Sequence, residues 1–210
     1  MTTIRKVNYE INKQLCYQTI DALSDKAMMS EYMKHKSYRD NREILQNILK
    51  KYNCDKMSIT NILNDYSDKF ILAGLKSVCR GNKFNQLVRE KIEMFILDSN
   101  RFEIVFEQKC PIYDTSEIPD WYIYDKTNDK LLIGMNQLDL WNGGHQYNRG
   151  SKYVLLNTYP QNRKLLCVIA NKVSIKSKNK AYKILERGFK TKTVCYLTKL
   201  HQIIHEYFNI

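Results

Sequence analysis

The chain has 210 residues, enough for one hydrophobic core with a helical appendage. Its 34 Lys and Arg against 22 Asp and Glu leave a formal charge of +12 and a pI near 9.3, which favours polyanionic partners, either nucleic acid or an anionic membrane surface. No run approaches the ~20 apolar residues of a membrane span, and the start MTTIRKVNYEINK lacks the apolar stretch of a secretory signal, so the expectation is a soluble intracellular protein of cytoplasm or nucleus with no membrane partner.

Residues 1 to 98 read as helical, punctuated around Lys36 to Asn41, Asn53 to Asp55 and Arg80 to Asn82. Three amphipathic stripes stand out: Ile44, Leu45, Ile48 and Leu49; then Ile59, Ile62 and Leu63; then Phe70, Ile71, Leu72, Leu75 and Val78. Two short helices across the turn KYNCDKMS can form either a helix-turn-helix that enters a DNA groove or a plain packing layer. The turn has no distinctive residue pattern, which favours the packing layer.

From Gly81 the segment GNKFNQLVREKIEMFIL places Phe84, Leu87, Val88, Ile92, Phe95 and Ile96 on one face of a helix, with Asn82 as a candidate cap. RFEIVFEQ then alternates Phe102, Ile104 and Phe106 with polar and apolar neighbours, as a strand does. A loop with Pro111 and Pro119 follows. DWYIYD and KLLIGMNQL are two strands joined by the turn KTND, a hairpin. WNGGHQYNRGSKYVLLN opens on two glycines and supports a helix, and KLLCVIANK is an apolar run suited to a buried strand. The lysine-rich KVSIKSKNKAYK and an amphipathic helix in TVCYLTKLHQIIHEYF close the chain. The order predicts an α/β fold of helix, strand, strand, strand, helix and strand, divided as a helical layer (1 to 80), a core (81 to 172) and a basic segment with a C-terminal helix packed on the core (173 to 210).

The six cysteines lie far apart without a C-x-x-C pair and read as free thiols, several of them buried. His201 and His205 have the spacing of a metal pair on a helix, but no glutamate stands between them as in H-E-x-x-H, and they read as surface histidines.

Hydrolysis of a phosphodiester needs a metal ion to hold the attacking water and offset developing charge, hence carboxylates converging from neighbouring strands. The chain has a literal Pro119-Asp120 at the start of DWYIYD, and 14 residues separate Asp120 from Met135 on the partner strand. With the helix GNKFNQLVREKI before it and DLWNGGHQYNRGSKYV after it, this region, about 81 to 172, resembles the PD-(D/E)XK (restriction-endonuclease-like) nuclease superfamily, including such proteins of large DNA viruses. The resemblance implies a restriction-endonuclease-like core, a small mixed sheet flanked by helices, and a Mg²⁺- or Mn²⁺-dependent endonuclease acting on double-stranded DNA.

In that alignment Met135, Asn136 and Gln137 occupy the acid-x-lysine positions. Gln137 is a tolerable departure that can still orient a water. Met135 departs further, because a thioether cannot replace a carboxylate for Mg²⁺. Asp139 shares a strand face with Met135 and Gln137, and Glu107 lies on the preceding strand; the resemblance implies Asp120 with Asp139 or Glu107 as metal ligands and catalytic groups, Gln137 assisting. Asn85 stands where the family's first helix commonly carries glutamate. Gln146, Asn148, Arg149 and Lys152, at the start of the following helix, would form a phosphate site. Trp121 and Trp141 read as packing residues, and Tyr122, Tyr124 and Tyr147 as residues around the site. Enzymes of this kind that cut both strands often dimerise, which makes a homodimer an expectation. The alternative is a nuclease fold that lost its acid and binds nucleic acid, or serves a structural role, without cutting it.

Overall fold

The periodicity of the central region becomes a five-stranded mixed sheet in the computed structural model, which describes residues 21–95, 99–112, 117–138, 161–170 and 180–210. The helices are α1 (Asp25–Lys34), α2 (Lys36–Lys51), α3 (Lys56–Asp65), α4 (Ala73–Phe95), α5 (Lys180–Thr191) and α6 (Leu200–Phe208). The strands are β1 (Phe102–Phe106), β2 (Trp121–Asp125), β3 (Lys130–Gln137), β4 (Arg163–Ile169) and β5 (Val194–Tyr196), in that spatial order. β1, β2 and β3 run antiparallel as a meander; β3, β4 and β5 run parallel. The expected helix after the hairpin lies outside the described residues. Among those described, no helix is long and apolar enough to cross a membrane.

The chain divides into two units, Asp21–Lys83 and Phe84–Ile210, with the boundary inside α4. In the first, Met28, Tyr32, Tyr38, Ile59, Leu63, Phe70, Ile71 and Leu75 form a core. Asp25 anchors it, accepting from Lys76 Nζ at 2.8 Å, Arg80 Nη2 at 2.9 Å and the Tyr32 hydroxyl at 3.2 Å. These bonds, the one from Lys76 above all, hold its carboxyl below the ordinary range. The expected break at Arg80 to Asn82 does not occur. α4 runs unbroken through Gly74 and Gly81, since a glycine weakens a helix without ending it, and the helix starts at Ala73 rather than near Asn82.

In the second unit the period of two divides the sheet into two faces. One face carries Tyr122, Leu131, Ile133, Met135, Leu165, Cys167, Ile169 and Val194, and Leu185 of α5 buries itself among them. The other carries Phe102, Trp121, Leu132, Leu166 and Val168, all buried, and here the Phe102 and Phe208 rings meet edge to face at 5.2 Å. α5 and β5 are additions to the expected pattern. The segment VCY was expected as the start of the last helix, yet its backbone pairs with Cys167 to Ile169, and the helix proper begins at Leu200. The described cysteines are free; Cys110, Cys167 and Cys195 are buried, and burial pushes the Cys195 thiol up to about 12.

At the far end of β2 a fully buried Asp125 pairs with Arg101, whose Nη2 donates to Oδ2 at 2.7 Å and to the Phe208 carbonyl at 3.0 Å. The amides of Thr127 and Asn128 also donate to Oδ1, at 3.0 and 3.3 Å, so the same carboxylate shapes the β2–β3 turn. At the near end, Gly134 faces the indole of Trp121: a Cβ on Gly134 would lie 1.9 Å from Trp121 Cε2. The strand tolerates a glycine there because the ring fills the space.

Asp125→Asn is expected to lower stability by about 3–5 kcal/mol, since it leaves Arg101 facing a neutral partner. Arg101 lowers the carboxyl pKa of Asp125 in the folded state, so this contribution is complete above the unfolded value near ~4 and fades as pH falls through the lower folded value. Urea denaturation of both proteins across that range checks it; the difference should shrink on the acid side. Gly134→Ala should cost about 1–3 kcal/mol by forcing the indole aside, with a changed near-ultraviolet signal from Trp121.

Candidate active site at the end of the central hairpin

The regular pairing of β2 with β3 ends at Trp121 opposite Gly134. Beyond it the Asp120 amide donates to the Gly134 carbonyl at 3.1 Å, and the Asp120 carboxylate takes over the acceptor's role: Oδ2 receives the Asn136 amide at 2.6 Å. A half-buried carboxylate is thereby fixed against the backbone of β3, at the position where the pattern of Pro119-Asp120 and the hairpin placed it. The Glu107 amide donates to the Asp120 carbonyl at 3.0 Å. Glu107 itself is exposed and takes a left-handed φ of 56°, which ends β1 at this point. Two acids that flank adjacent strands, Glu107 just after β1 and Asp120 just before β2, thus follow one another at one end of the sheet.

Met135 and Gln137 differ from them in exposure. Met135 is wholly buried in the apolar cluster under α5, and Gln137 is 7% exposed with Nε2 3.9 Å from the Met135 sulfur. Asp139, Gln146, Asn148, Arg149 and Lys152 lie outside the described residues, as do Trp141 and Tyr147. Tyr122 is buried on the Met135 face, and burial followed by the charge of Glu103 raises its phenol pKa. Tyr124 is half-buried and donates to Asp129 Oδ1 at 3.1 Å, in the turn at the opposite end of the hairpin from Asp120.

Three residues that the spacing did not single out as site groups complete the arrangement. Asn136, the unspecified position between Met135 and Gln137, accepts from Trp121 Nε1 at 2.9 Å and donates through Nδ2 to Asn85 Oδ1 at 3.1 Å. β2, β3 and α4 are therefore tied by one amide, next to the Asp120 carboxylate. Trp121 acts as a donor as well as a packing residue; a buried indole N–H needing a partner was the available signal. Arg89 lies one turn along α4 from Asn85, and its guanidinium carbon sits 4.4 Å from the centroid of the Phe106 ring, immediately before Glu107. It brings an exposed positive charge to the same end of the sheet.

Asp120 and Glu107 offer carboxylate oxygens, which suit Mg²⁺ held by one or two protein acids with the remaining positions left to water and phosphate. Among the described residues no group of three His, Cys, Asp or Glu side chains gathers to hold an ion. His201 and His205 are half-buried rather than surface residues: the His201 ring stacks on Phe95 at 4.9 Å, and His205 meets it edge-on at 6.2 Å. Burial, then the charge of Lys91, lowers the His201 pKa.

Neither a protein-family model nor a curated protein matches the sequence. Among solved structures, the crystal structure of protein VC1899 from Vibrio cholerae is similar, with a TM-score of 0.41 and 13% identity over 94% of this chain and 55% of that one. The chain spans about half the length of that protein, and a likeness of this degree assigns neither family nor function.

Proposed function

We propose that the second unit is a restriction-endonuclease-like core that binds double-stranded DNA and cleaves its phosphodiester backbone with Mg²⁺ or Mn²⁺. The observation that carries this reading is the Asp120 carboxylate at the start of β2, locked on the Asn136 amide at 2.6 Å, with Glu107 just after the adjoining strand. The meander followed by a parallel strand supports it, because that order sets the ends of β2 and β3 side by side. So does the charge of +12, which draws a polyanion to the surface.

In this mechanism Asp120 and Glu107 would hold the cation, with Asp139 as a further acid. The ion supplies charge neutralisation at the phosphate and activation of the nucleophile. The Asn136 amide orients the Asp120 carboxylate, and the Asn85–Asn136–Trp121 bonds hold that amide in place. Arg89 offers a cation to the phosphate that approaches the end of the sheet, a role shared with Arg149 and Lys152.

One observation favours a second reading, a nuclease fold that binds DNA without cutting it. Met135 stands in place of the acid: its thioether offers no oxygen ligand, and it is wholly buried among apolar side chains.

Plasmid nicking separates the two. The expected outcome is relaxation of supercoiled DNA with Mg²⁺ or Mn²⁺, its loss on chelation, and a fall of about 100-fold or more for Asp120→Ala with DNA binding retained. Glu107→Gln should lower nicking in the same direction and raise the metal concentration required. Nicking that survives Asp120→Ala overturns the assignment of Asp120, and tight binding without nicking by the unaltered protein establishes the second reading.

A further inference from the structure

The first unit has a surface that its own core does not use. α2 and α3 are joined by residues 52 to 55, with Asn53 in the left-handed region at φ 57° and Asp55 capping α3 through the Met57 and Ser58 amides at 2.9 and 3.0 Å. Ile59 and Leu63 point into the core, and Arg42 of α2 fastens the other end of α3 by donating to the Leu63 carbonyl at 3.2 Å. The outward face of α3 is consequently a fixed platform. It displays Lys56, Met57, Thr60, Asn61 and Asn64, all exposed, with the exposed Asp65 at its C-terminal end.

The turn beside it has Lys50, Lys51 and Lys56 exposed, and among the described residues none of the three is in an ion pair. Tyr52 and Met57 stand next to them, each 75% exposed. Large apolar groups kept in water between free cations, beside a row of amide and hydroxyl groups, match the alternation of phosphate, sugar and base edge along a duplex groove. The only carboxylate in the turn, Asp55, is itself exposed and accepts from the Met57 and Ser58 amides and the Ser58 hydroxyl.

We infer that α2, its turn and α3 form a helix-turn-helix that docks on double-stranded DNA. The lysines at 50, 51 and 56 meet phosphates, and the face around Met57 and Asn61 enters the major groove. Asn61 has the chemistry to read adenine, and the Met57 thioether to contact a thymine methyl. This goes beyond the nuclease reading and shares with it only the choice of DNA as partner: it gives the chain a sequence preference that resides outside the sheet.

The test uses the full chain and a pool of duplexes with a randomised centre, with selection of bound sequences, binding against salt, and nicking measured on the same preparations. The unaltered protein is expected to enrich a sequence motif. Met57→Ala combined with Asn61→Ala should lose that enrichment and keep the salt slope. Lys50→Ala, Lys51→Ala and Lys56→Ala together should weaken binding to all sequences at least about tenfold and reduce the log–log salt slope by about 0.9 for each lysine that meets a phosphate. The corresponding Lys→Arg variant should restore both, which separates lost contact from lost folding. Variants that bind and select like the parent, or a parent that enriches no motif, overturn the inference whatever the nicking shows. Loss of selection in a protein that never nicks DNA overturns the nuclease reading and leaves this one standing.

Discussion

The close approach of Trp121 to Gly134 is the constraint on which the end of the sheet depends. The ring occupies the place of a side chain on β3, so no other residue fits there without moving it. Its Nε1 fixes the Asn136 side chain, Asn136 reaches Asn85 on α4, and the Asn136 backbone amide holds the Asp120 carboxylate. One packing event therefore sets the register at the end of the hairpin, the docking of the helix within the second unit, and the orientation of the acid. At the other end of β2 the Arg101–Asp125 pair performs the matching task, closing the turn and binding the carbonyl of Phe208. Between these two anchors the strand has little freedom to slip, and slippage by one residue would exchange its faces.

Such anchoring suits a site built from few groups. A hard cation bound by two carboxylates gains from their being held before it arrives, because the cost of ordering them is met by folding. Asp120 satisfies that condition through a charge-assisted bond to a backbone amide, while Glu107 is exposed. Arg89 adds the opposite charge from α4. The buried Met135 beneath them contributes to the core rather than to the chemistry, so the burden of the proposed activity falls on Asp120 and Glu107.

Much of this was legible in the residues. β1 to β4 declare themselves by alternation and by apolar runs, and Pro119-Asp120 marks the start of β2 at the position where the acid is found. β5 has only three residues, too few for a period, and owes its existence to the adjacent edge of β4. α5 is hidden by its lysine-rich approach, although Leu185 and the partly buried Ile184 and Phe189 bind it to the core. The punctuation expected at Gly81 and Asn82 fails because a glycine in a helix weakens it without ending it. The Asn85–Asn136 bond joins residues 51 positions apart, and no local pattern signals an amide whose partner is set by tertiary packing.

The central claim is that the end of the hairpin holds a divalent cation at Asp120. Titration of Mn²⁺ into the protein, followed by paramagnetic broadening of the Trp121 indole resonance, tests it without requiring turnover. The account predicts the strongest broadening at Trp121 and at amides around Asn136, weaker broadening around Asp125 about 17 Å away at the opposite end of β2, and loss of the effect in Asp120→Ala. An indole signal that stays sharp at saturating Mn²⁺, or one that broadens equally in Asp120→Ala, contradicts it.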